Sequence, residues 1–250
     1  MAEAVLTESH EGVLVITLNR PEARNAVNRA LAEGVAAALD RLDGDDELRV
    51  GILTGAGGYF SAGMDLKAFI AGESAHVEGR GFAGIVQQPP RKPLIAAIEG
   101  FALAGGLEIA LACDLIVAAR DARLGIPEVK RSLVAAGAAG RRPPRQLAME
   151  LALTGDPISA ERGLEAGIVS RVAEPGEAVA VARELAAGIA RNGPLALEAS
   201  KRIVRSAADW SEEDAWRLQG EIVGPVFTSE DAREGATAFA EKRDPVWKGR

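Results

Sequence analysis

The sequence predicts an α/β core followed by a mostly helical carboxyl-terminal part, and three observations carry that reading. Short β-branched runs alternate with helical periodicities as far as Pro143. Glycine-rich turns follow the strands at 55–58 and 100–106. Beyond Pro143 the apolar spacing is almost entirely helical. In chain order, Val13–Leu18 is a strand preceded by the Glu11-Gly12 turn, which puts His10 in a hairpin, and Pro21 ends it. Leu31, Val35, Ala38, Leu39 and Leu42 mark a helix from Asn28 to the stop at 43–46. Leu48–Thr54 is the next strand, and His76 falls in a polar loop or helix start. Leu94–Ile98 is a strand, the glycines at 100, 105 and 106 open a short helix, and Leu115–Ala119 is a strand again. The later helices are expected over 147–153, 160–166, 178–190, 195–207, 212–222 and 231–242.

Composition excludes several classes of function. With 29 Lys+Arg against 36 Asp+Glu the net charge is −7, which argues against nucleic acid as a partner. One cysteine, Cys113, rules out an internal disulfide framework and a Cys-rich zinc module, and it reads as a small buried residue. Of the two histidines, His10 lies between Glu8 and Glu11 in the hairpin and His76 in a polar stretch; neither has company suggesting chemistry, and no metal site is expected. The amino-terminal residues lack a basic, apolar signal pattern, and no run is long enough to span a bilayer, so a reducing cytoplasm is the expected compartment.

Gly100–Gly106 imitates a phosphate loop after a strand, but Gly106 and Leu107 stand where Lys and Ser/Thr are required. A complete dinucleotide fingerprint is missing as well. What the junction does offer is uncovered backbone N–H groups at a helix start, which can stabilise an oxyanion. Tyr59–Leu66, with Gly63 for a turn and Asp65 suited to cap the next helix, is a second such junction. Two carboxylates fall close by. Glu108 lies in the first turn of the helix after Gly105-Gly106, and Glu128 follows the extended Gly125–Pro127. Each alone is an ordinary helix-start acid. Their conjunction with two glycine turns makes them a candidate site.

The order of motifs resembles the crotonase (enoyl-CoA hydratase/isomerase) family over essentially the whole chain. The matching pieces are Ile16–Ala26, Phe60–Leu66, Lys92–Gly100 with Gly105-Gly106, Ala112–Asp114, Gly125–Glu128, and Ser229–Gly235 through Phe239–Lys242. The resemblance implies a spiral of repeated ββα turns over residues 1–190 and a helical trimerisation region over 191–250, assembled as a homotrimer or homohexamer. It implies acyl-CoA thioesters as ligands, with no cofactor beyond the coenzyme A of the substrate. By resemblance, the N–H groups of Met64 and Gly105 form an oxyanion hole. Ala23, Arg24, Ala62, Asp65 and Leu66 lie along CoA, and Phe239 and Lys242 reach it from the last helix, from a neighbouring subunit in one arrangement. Glu108 handles the water and Glu128 delivers a proton to Cα, which gives hydration of a 2-trans-enoyl-CoA. A Δ3,Δ2-enoyl-CoA isomerase, needing one base, and a non-catalytic acyl-CoA binder are the alternatives. Two departures stand out: Leu133–Arg145 differs from the usual Pro-Gly-rich loop and bears on the acyl pocket, and Glu22 stands where some relatives have lysine.

Overall fold

The computed structural model describes residues 3–140 and 142–250. Its strands are β1 (Val5–His10), β2 (Val13–Leu18), β3 (Val50–Gly55), β4 (His76–Val77), β5 (Gly81–Phe82), β6 (Leu94–Ile98), β7 (Phe101–Leu103), β8 (Leu115–Ala119), β9 (Arg123–Gly125), β10 (Ile158–Ser159) and β11 (Arg171–Ala173). The α-helices are α1 (Arg29–Gly44), α2 (Leu66–Ile70), α3 (Gly105–Ala112), α4 (Arg145–Thr154), α5 (Ala160–Glu165), α6 (Ala178–Ala190), α7 (Pro194–Ser206), α8 (Glu212–Phe227) and α9 (Glu230–Glu241).

A six-stranded sheet in the order β1-β2-β3-β6-β8-β11 forms the centre, parallel throughout except for the β1–β2 hairpin. A parallel sheet needs cover on both faces, and the strands alternate accordingly. Leu14, Ile16 and Leu18 of β2 and Leu94, Ala96 and Ile98 of β6 join one core with α1 and α3. Val13 and Val15, with Ile95 and Ala97, face the other way. There Ala178, Ala182 and Ala186, one helical turn apart, let α6 lie close against the sheet.

Shorter strands turn the chain between layers. β7 and β9 pair in parallel, β10 joins antiparallel, and β4 pairs with β5. The succession β6-β7-α3 is one ββα turn of a spiral, and β8-β9 begins the next. β4 corrects the expectation of a loop or helix start at His76: its two residues are too few for periodicity to reveal. α8 likewise runs five residues past the expected Ile222, because Pro225 lies in its last turn and forfeits only one backbone hydrogen bond. The α7–α8 pair closes the far end, with Lys201 of α7 buried against Asp114 at 2.6 Å and donating to the Lys92 carbonyl. Among the described residues no helix is long and apolar enough to cross a membrane.

Candidate active site

Asn25 builds the mouth of the site. It is fully buried and left-handed (φ 53°), and Arg24 beside it shares the left-handed conformation while its side chain stays exposed. Its side chain accepts from Arg20 N–H and donates to the carbonyls of Ala56 and Tyr59, so the Pro21–Ala23 turn is pinned to the loop after β3. Arg20 in turn binds Asp65 at 3.0 Å, while the Asp65 carboxylate also caps α2 by accepting from Lys67 and Ala68 N–H. The capping role expected of Asp65 is therefore present.

The two glycine junctions meet. Gly63 (φ 89°) passes so near the start of α3 that a Cβ there would lie 2.8 Å from the Gly105 nitrogen. Gly106 is similarly constrained by the Ser61 carbonyl, 2.3 Å from a built Cβ. Val27 N–H donates to Gly63 O and Asp65 N–H to Val27 O, which leaves Met64 N–H between them without a backbone acceptor among the described residues. Gly105 N–H is the first donor of α3 and is likewise unclaimed among those residues. The positive φ at this junction belongs to Ala104 (54°), not to Gly105, whose missing Cβ instead makes room for the Phe82 ring.

Glu108 lies in the first turn of α3 and is 6% exposed. Its Oε1 accepts from Gly137 N–H at 2.5 Å. Burial pushes its carboxyl above the usual range, opposed by donation from Gly137 and Ala139 N–H. Glu128, on the 3-10 helix Pro127–Arg131, is also raised, by burial first and by the charge of Glu108 further down, against its own N–H and Arg131. Its Oε2 is buried without a hydrogen-bond partner. A buried, unpaired oxygen on a carboxylate that feels the charge of a second one is the arrangement a shared water or proton would satisfy.

Both glutamates, Met64 and Gly105 line one cleft of about 540 Å³ together with Arg24, Ala62 and Leu66. Ala23 and Asp65 adjoin these residues in sequence but lie outside the lining, as do Phe239 of α9, 86% exposed, and Lys242, which caps the end of that helix. Sequence reasoning missed His76, Phe82, Val86, Gln87, Arg131 and Gly137 in the walls. Gly137, within the divergent 133–145 stretch, is the one a glycine between alanines signals: its Cβ would sit 2.8 Å from Glu108 Oε1. Cys113 is buried with its thiol pushed up by burial, an inert core residue. Among the described residues no cluster of His, Cys, Asp or Glu could hold a metal.

A spiral of ββα turns that brings two strand-to-helix junctions and two carboxylates to one cleft defines the class: this is the crotonase fold. Residues 8–250 match the family model for enoyl-CoA hydratase/isomerase, and the chain belongs to that family. It is 43% identical to the enoyl-CoA hydratase EchA19 of Mycobacterium tuberculosis, over 98% of this chain and 96% of the relative. It is 41% identical to the carnitinyl-CoA dehydratase of Salmonella enteritidis over the full length of both. The crystal structure of an enoyl-CoA hydratase from M. tuberculosis superposes with a TM-score of 0.97 at 56% identity, covering both chains completely.

Proposed function

We propose that this chain hydrates 2-trans-enoyl-CoA thioesters to 3-hydroxyacyl-CoA. The observation that carries the reading is the convergence of Glu108, Glu128 and the Met64 and Gly105 N–H groups on one cleft. With the thioester oxygen at the two N–H groups, water held by the carboxylates attacks Cβ and charge moves to that oxygen, where fixed donors stabilise it. Glu108 takes the water proton as the C–O bond forms, and protonated Glu128 gives a proton to Cα. The raised affinity of both carboxyls for protons suits a pair that must be ionised at one member and protonated at the other. The reverse steps remove water, so hydratase and dehydratase names among the relatives describe one chemistry.

CoA enters as part of the substrate, and hydration by this route needs no other cofactor. Arg24, Ala62 and Leu66 hold it at the cleft mouth, flanked by Ala23 and Asp65, and Phe239 and Lys242 complete the site from a neighbouring subunit of a homotrimer or hexamer formed through residues 191–250. A reducing cytoplasm suits the lone buried thiol.

Loss of the conjugated absorbance of crotonyl-CoA tests the activity. Glu108→Gln and Glu128→Gln should each lower kcat by about 10²–10⁴-fold with KM little changed, and their combination should cost less than the product of the two. A tolerated Glu108→Gln beside an inactive Glu128→Gln would turn the reading to double-bond isomerisation, and ligand binding without turnover would make the chain a binder.

A further inference from the structure

The acyl-CoA reading above is the basis for an inference about the distal part of the acyl group. Glu128 and Arg131 share the 3-10 helix Pro127–Arg131. At three residues per turn, side chains three apart eclipse, so Arg131 stands over the same face as Glu128, and both line the cleft. Arg131 acts on Glu128 through its charge alone: among the described residues it makes no hydrogen bond or ion pair, while its neighbour Lys130 is engaged by Asp156 at 2.5 Å. A second polar group in the lining is Gln87. Its side chain lies where Gly81 (φ 74°) lacks a Cβ, 2.5 Å from the built position, and its amide has no hydrogen-bond partner among the described residues. Apolar Val86, Leu133, Val134 and Ala136 share this lining.

A plain alkyl chain needs the apolar groups alone. It would offer no acceptor to the exposed Arg131 guanidinium or to the Gln87 amide, and so would gain nothing from either. A quaternary ammonium on the acyl group would meet like charge at Arg131. We infer that the preferred acyl group carries a carboxylate beyond Cβ, received by the Arg131 guanidinium with the Gln87 amide beside it, so that the substrates are CoA monothioesters of unsaturated dicarboxylic acids.

Saturated thioesters bind without reacting and test this directly. Calorimetric titration of the intact protein with glutaryl-CoA and with hexanoyl-CoA should show glutaryl-CoA binding ~5-fold tighter or better, since the contact is charge-assisted but partly exposed. In Arg131→Leu that ratio should fall to one or below. Arg131→Lys should restore part of it, as the charge returns without the planar fork. Equal affinities in the unaltered protein, or a ratio that Arg131→Leu leaves in place, would overturn the carboxylate assignment while the acyl-CoA reading stood. Failure of both thioesters to bind would overturn the acyl-CoA reading and this inference with it.

Discussion

Burial makes Glu108 both the chemical asset of the cleft and a cost to the fold. Its carboxyl binds a proton more tightly in the folded chain than in the unfolded one, chiefly because desolvation disfavours the charge. The sign follows from linkage: the cost of the ionised group is absent below the unfolded carboxyl range near pH 4.3, grows as pH rises through the shifted value, and is complete above it. Glu108→Gln, which removes the charge and keeps an oxygen for Gly137 N–H, should therefore raise Tm at pH 8 by more than at pH 4. Thermal melts of both proteins across that range check it, and an equal Tm difference at the two pH values would mean Glu108 is not desolvated as described. Glu108 itself was legible in the sequence as a first-turn acid after a glycine turn. Its anchor was not, because Gly137 is 29 positions away and reaches it only through the return of the chain over α3.

At the level of elements, the junction before α3 depends on a contact between backbone and ring. A Cβ on Gly105 would stand 2.4 Å from Phe82 Cε1. Gly105→Ala should therefore destabilise the protein by about 1–3 kcal/mol, as overpacking does. Phe82→Ala in the same chain should recover much of that loss, a coupling that a urea-denaturation double-mutant cycle measures. Additive losses would show that the ring is not what excludes the side chain. The left-handed φ at this junction falls on Ala104, since φ depends on how the chain enters the helix, while Gly105 answers a strand pairing from elsewhere in the chain. Strands that are short, continuous apolar runs, such as β2, β6 and β8, were legible to within a residue. The two-residue β4 and β5 were not, because their existence rests on pairing with each other.

Over the whole molecule, the surface carries large apolar side chains that one chain leaves bare. Trp216 and Phe227 of α8 are each 78% exposed, as are Ile70 at 85% and Phe239 at 86%. Trp247, by contrast, is used internally: its indole donates to the Arg191 carbonyl at 2.8 Å and packs over Gly235. Large apolar side chains left bare on helices are what an associating face would cover. Sedimentation at micromolar concentration should give about three or six times the 26.0 kDa chain mass, and Trp216→Glu with Phe227→Glu should shift the protein toward smaller species with a lower Tm. A monomer in the unaltered protein would count against both the assembly and the contribution of Phe239 and Lys242 to a neighbour's cleft.

The sequence by itself determined the succession of strands and helices, the two glycine junctions and the candidate glutamate pair, because each of these is a local pattern read over a few residues. The tertiary structure decided what those patterns do together. It set the Gly105 nitrogen against Gly63, hung Glu108 on Gly137, left Glu128 Oε2 buried and unpartnered, and placed Arg131 and Gln87 in the walls of the cleft. These are contacts between segments distant in the chain. Their geometry follows from how the sheet and its covering helices pack, and local propensity carries no information about that packing.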